Sequence, residues 1–217
     1  MTAVHGELRV VDDVPAAFAD LVVAEAPTSI AFSGGSTARE SYEQLAARGD
    51  AVAWPGVDAW FGDERWVPVD DPDSNECMTR AALLDRVPVR AVHSMRGAGD
   101  TIDAAAAAYD AEVAAAPPID LVHLGLGPDG HTASLFPGSA ALAVDDQLVV
   151  TNADDLHPHP RLTFTFPALA RSRLVVFTVA GDDKRDALAR VRAGEDLPAA
   201  RVDAERVVWL VDPAALG

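Results

Sequence analysis

The stretch IDLVHLGLGPDGHTAS, residues 119–134, decides the fold. Its first half is an apolar run of strand length, the pattern expected of a strand covered on both faces. Its second half is a glycine-rich turn that carries an aspartate and a histidine. Working outward, five more short runs rich in β-branched and aromatic residues read as strands: ELRVV from Glu7, TSIAF from Thr28, VDAWF from Val57, LVVFTVA from Leu174 and RVVWLV from Arg206. Helix-like segments lie between them at 14–26, 37–47, 74–86, 100–115 and 183–193, and the third opens on Asp73 or Ser74 as an N-cap. The strand–helix alternation predicts an α/β fold around a mostly parallel sheet. No repeat and no linker divides the chain, so one domain over 1–217 is expected.

The composition narrows the partners. Apolar residues are 49% of the 217 and charged residues 24%, values of an ordinary globular protein with a real core. The longest apolar runs are too short to span a bilayer. The opening MTAVHGELRVVDD lacks the layout of a signal peptide, so a cytoplasmic location is expected. Cys77 has no partner cysteine for a disulfide or a zinc site and reads as a packing residue on a helix. The formal charge of −17 repels nucleic acid and anionic membranes. The same field repels a phosphorylated metabolite. A site for one therefore requires basic residues gathered locally.

Ligands of such sheets collect at the carboxyl ends of the strands, and three loops there carry chemistry. Ser33-Gly34-Gly35-Ser36-Thr37 follows TSIAF and opens a helix. Its glycines allow a close backbone approach, and the helix start offers unpaired N–H groups to an oxyanion. It is neither a Walker A loop nor a dinucleotide fingerprint. The plainer reading is a tight turn with a serine cap. Gly62-Asp63-Glu64-Arg65 follows VDAWF, and Trp60, Phe61 and Trp66 around it suggest partial burial. Buried carboxylates beside an arginine serve pairing or catalysis. The third loop, Gly125 to Ser134, holds His131, a general-base candidate near neutral pH, and Asp129, which could orient its ring. His5, His93, His157 and His159 read as surface histidines, and His123 falls in strand periodicity away from the loop. No metal-ligand spacing is present, and no metal or cofactor is expected. Arg161 and Lys184 sit near strand ends and with Arg65 could form the local positive pocket.

Taken together, FSGGST, WFGDERWVPVDDPDSN, DLVHLGLGPDGHTASLFPG, RLTFTFPAL and VAGDDK resemble the 6-phosphogluconolactonases in order and spacing. The resemblance runs from about residue 30 to about residue 185, and DGHTASLFPG is its most distinctive part. It implies a Rossmann-like three-layer fold, shared with glucosamine-6-phosphate deaminases and ribose-5-phosphate isomerases. It also implies hydrolysis of 6-phospho-D-glucono-1,5-lactone to 6-phosphogluconate, and a monomer or small homo-oligomer is expected. Carried over by position, His131 activates water. Asp63 and Arg65 lie in the family's acidic-basic active-site loop, and Asp129, read from the turn itself, joins them in the catalytic set. Gly34, Gly35, Ser36, Thr37, Arg161 and Lys184 receive the phosphate. Two departures stand out: Ala38 where the family often has proline, and a short approach to Arg161 through His157-Pro158-His159-Pro160.

Two rival functions share these loops. An amino-sugar phosphate deaminase would use the same Asp-Gly-His turn, but resemblance to that group requires an Ile-Ala-Phe-Asn-Glu type of segment after the histidine. This chain reads Thr132-Ala133-Ser134-Leu135-Phe136-Pro137. A non-catalytic phosphosugar sensor would need neither His131 nor Asp63. No Gly-x-Ser-x-Gly elbow supports an acyl-enzyme route.

Overall fold

The computed structural model describes residues 4–97, 99–153 and 157–217. Seven strands form one sheet: β1 (Glu7–Val10), β2 (Ser29–Phe32), β3 (Asp58–Phe61), β5 (Ala91–Val92), β6 (Leu121–Gly125), β9 (Leu174–Val179) and β10 (Arg206–Val211). Their order is β1-β10-β9-β6-β2-β3-β5, and every pairing is parallel. Burial explains their composition. All six residues of β9 are buried, and Phe177 stacks on Trp209 of β10 at 3.8 Å between centroids.

Helices flank the sheet: α1 (Val14–Glu25), α2 (Ser36–Ala47), α3 (Asn75–Thr79), α4 (Ile102–Ala115), α5 (Phe166–Ala170), α6 (Arg185–Arg192) and α7 (Pro213–Leu216). α1 begins where Asp13 accepts the Ala16 N–H at 2.9 Å and ends on Ala26, at a left-handed φ of 45°. Thr101 caps α4, and Ser74 caps α3 by accepting the Cys77 N–H at 3.0 Å. The long helix expected over 74–86 is a single α-turn element that continues as a π-type turn over Arg80–Leu84. Cys77 lies half-buried on α3.

The main departure from the sequence expectation is a second, antiparallel sheet of β4 (Asp63–Arg65), β8 (Arg161–Phe164) and β7 (Val149–Asn152), in the order β4-β8-β7. Asp63-Glu64-Arg65, expected as a loop, is therefore a strand. The partial burial suggested by the flanking aromatics holds, with Asp63 and Glu64 buried. Here they alternate between two buried faces, because residues one apart on a strand point opposite ways.

The direction of chain growth places the site. From β2 the chain builds one edge through β3 and β5, then returns to the other side of β2 as β6. The loops after β2 and β6 thus diverge at adjacent strand ends and leave a crevice between them.

Candidate active site

A cleft of about 260 Å³ occupies that crevice, and all three chemistry-bearing loops reach it. Of the expected site residues, Gly34, Gly35, Ser36, Thr37, Asp63, Arg65, His131, Arg161 and Lys184 line it. Asp129 stands behind His131.

The wall after β2 is the start of α2. Gly35 holds φ 103°, a region L-side chains rarely adopt, and no side chain caps the helix behind it. The first N–H groups of α2 are therefore open to an anion, with the helix dipole favouring negative charge. Gly34 is required for a different reason: a Cβ there would lie 2.0 Å from Asn75 Oδ1.

The wall after β6 is the Gly125–Ser134 turn. It is closed by hydrogen bonds from Gly127 N–H to the His131 carbonyl at 2.9 Å and from Gly130 N–H to the Gly127 carbonyl at 3.0 Å. Asp129 Oδ1 lies 2.6 Å from His131 Nδ1 and also accepts the His131 N–H at 3.1 Å. Burial pushes the Asp129 carboxyl up, but the His131 backbone N–H and the charge and hydrogen bond of the imidazole outweigh it and hold it below its ordinary range. A carboxylate at Nδ1 selects the Nδ1–H tautomer and leaves the Nε2 lone pair for the cleft. Gly127 makes room for the ring, since a Cβ there would sit 2.2 Å from it.

The short sheet supplies the third wall. Its register pairs Asp63 with Thr163, Glu64 with Leu162 and Arg65 with Arg161. Asp63, Arg65 and Arg161 therefore share one face, the cleft face, and Glu64 points away. Like charges directly opposite are unfavourable by themselves, and the two arginines stand opposite in this register, both lining the cleft with the start of α2. Arg65 Nη1 donates to the Asp73 carbonyl at 2.6 Å, while its buried Nε has no hydrogen-bond partner among the described residues. Arg161 is 6% exposed and donates from Nε to the His159 carbonyl at 3.1 Å. Lys184 pairs with Asp183 at 3.1 Å. These three cations gather locally in a chain of charge −17, as a phosphate site in this protein requires.

The adjacent carboxylates separate cleanly. Asp63 accepts from Ser134 Oγ at 2.7 Å and from the Asn75 amide at 3.2 Å, on the cleft side. Glu64 accepts the N–H groups of Arg65, Asn75 and Glu76 and the Ser74 hydroxyl, at 2.7–2.9 Å. Burial pushes its carboxyl up against those four bonds. Glu64 thus anchors the start of α3, which presents Asn75 to Asp63.

Three histidines differ from their sequence reading, and two of them, His157 and His123, line the cleft. His157, expected at the surface, lines the cleft and stacks on Phe136 at 4.0 Å, with its ring 5.3 Å from that of His131. His123 is fully buried under the cleft and bonded at both nitrogens. His93 packs flat on Trp60 at 3.7 Å and is bonded to Glu112. Nothing in the local sequence separates His157 from the acid-paired His5, which is exposed, and His159, which is half-buried. For His123, an imidazole inside an apolar strand was the available signal.

These features define a Rossmann-like α/β protein whose switch-point cleft joins an uncapped helix start to a carboxylate-oriented histidine. The chain belongs to the glucosamine-6-phosphate isomerase/6-phosphogluconolactonase family, whose model matches residues 7–209. It is 42% identical over 202 residues to the 6-phosphogluconolactonase of a Synechocystis species, covering 86% of this chain and 82% of that protein. It is 40% identical over 202 residues to the enzyme of that name from a Nostoc species, with the same coverage. The structure of 6-phosphogluconolactonase from Thermotoga maritima superposes with a TM-score of 0.83 at 28% identity, over 95% of this chain and 99% of that one.

Proposed function

We propose that this protein hydrolyses 6-phospho-D-glucono-1,5-lactone to 6-phospho-D-gluconate, the second step of the oxidative pentose phosphate pathway, without a metal. The observation that carries the reading is the Asp129–His131 pair, 2.6 Å apart, set across one cleft from the α2 start with Arg161 and Lys184. The family membership and the names of the relatives support the substrate.

The phosphate docks on the N–H groups of Gly35, Ser36 and Thr37 with Arg161 and Lys184, which fixes the lactone's orientation. Neutral His131 takes a proton on Nε2 from water as the water oxygen bonds to C1. Such general-base assistance contributes about 10²–10⁴-fold. Negative charge grows on the carbonyl oxygen, and Arg65, which lines the cleft, is the candidate to stabilise it. The C1–O5 bond then breaks, and the imidazolium returns its proton to O5. Asp129 holds the ring and stabilises its charged form, and Asp63 holds the cleft wall through Ser134 and Asn75.

The test compares two substrates at equal protein concentration. Lactone decay above the spontaneous rate, insensitive to EDTA, with no ammonia released from glucosamine 6-phosphate, is the expected result. Ammonia release without lactone decay would contradict it.

A further inference from the structure

A buried chain of polar side chains runs beneath the Ser33 turn, outside the groups assigned to the reaction. Tyr42 of α2 is fully buried, and its hydroxyl receives the Ser33 N–H at 2.7 Å. The same oxygen stands 3.2 Å from the Ser33 carbonyl and 2.8 Å from His123 Nδ1. His123 Nε2 continues the chain to Thr178 Oγ1 at 2.8 Å. The imidazole lies against Phe18 at 4.1 Å between centroids, and burial lowers its pKa to about 3. It is therefore neutral and offers one donor and one acceptor. With Nδ1–H given to Tyr42, the tyrosine proton goes to the Ser33 carbonyl and the Thr178 proton to Nε2. Every member is then satisfied.

Three apolar side chains of similar volume would fill this space without desolvating polar groups. What the polar chain adds is direction, because a satisfied network in a dry interior holds its members in one arrangement. The member held at its end is the Ser33 peptide, both N–H and C=O. Ser33 leads directly into Gly34 and Gly35, which have no side chains of their own to fix them, and into a helix start with no side-chain cap. Ser33, His123 and Thr178 also line the floor of the cleft.

We infer that Tyr42, His123 and Thr178 form a positioning network that fixes the Ser33 peptide, and through it the Gly34–Gly35 turn, in the geometry that receives the phosphate. The inference rests on the phosphate-site reading above.

Inorganic phosphate titrated by ³¹P NMR into wild type and Tyr42→Phe tests it without any turnover. Loss of the hydroxyl weakens phosphate binding about tenfold in a protein that circular dichroism shows to be folded. The KM for the lactone rises by a similar factor, while kcat changes by less than about threefold, the signature of lost uniform binding. A folded Tyr42→Phe that binds phosphate as wild type does would overturn the inference. So would a fall in kcat at unchanged KM, or a wild type that binds no phosphate. Should Tyr42→Phe not fold, Thr178→Val and Thr178→Ser replace it. Weaker phosphate binding in the first, restored in the second, is expected, and equal affinity in both overturns the network. A wild type that binds phosphate through Tyr42 yet leaves the lactone unopened contradicts only the proposed reaction.

Discussion

Asp63 and Glu64 are chemically alike and adjacent, yet the pleat sends one into the cleft and the other under the start of α3. Three backbone N–H groups and a hydroxyl converge on Glu64. Glu64→Gln puts an amide donor against donors, so a loss of about 2 kcal/mol in denaturant midpoint analysis is expected, from unsatisfied buried groups. A Glu64→Gln protein as stable as wild type would remove the anchoring role. In the proposed mechanism the charge of Asp129 itself matters, because the imidazolium forms beside it. Asp129→Asn keeps an acceptor for Nδ1–H, and a drop in kcat of at least about tenfold at unchanged fold is expected. Gly127 is the steric counterpart: Gly127→Ala drives a methyl into the His131 ring, and kcat is expected to fall as far as in His131→Ala.

At the scale of elements, the two-residue β5 was too short to read, but the other six strands of the parallel sheet were legible as apolar runs between helix-length segments. The β4-β8-β7 sheet was not. Its strands are three or four residues long and polar at β4, and the β4–β8 pairing joins segments about a hundred residues apart. No local pattern encodes that register. Yet the register turns scattered candidates into one face, with Arg65 opposite Arg161. On the proposed reading 6-phosphogluconate sets its phosphate on Arg161 and its carboxylate toward Arg65, so it is expected to raise the thermal midpoint in proportion to the logarithm of its concentration. Arg161→Leu is expected to abolish most of that shift in a thermal melt. A full shift in Arg161→Leu would move the anion site elsewhere.

For the whole molecule, the order of strand addition makes the crevice, and the sequence showed it only as three loops at strand ends. The buried His123 escaped because its partners, Tyr42 and Thr178, come from other elements, and burial there is a property of the assembled fold. That burial has a global consequence. The folded pKa of about 3 lies below the ordinary imidazole value of 6.5, so the unfolded chain binds the extra proton between the two. Stability therefore falls as pH drops below about 6.5 and continues to fall toward the folded value. Between pH 7 and pH 5 this single group contributes a loss of about 2 kcal/mol. Urea unfolding at both pH values is expected to show that slope in wild type and its removal in His123→Phe, whatever the absolute stability of the variant. The same slope in both proteins would contradict the neutral, buried assignment.

The most direct measurement follows the lactone itself. 6-Phosphogluconolactone is generated with glucose-6-phosphate dehydrogenase, and its decay is followed by NMR without protein, with wild type and with His131→Ala. Rapid decay with wild type, unchanged by EDTA and reduced about 10²–10⁴-fold in a folded His131→Ala, is the expected result. Decay no faster than the protein-free rate with wild type, or an equally fast His131→Ala, would contradict water activation by His131.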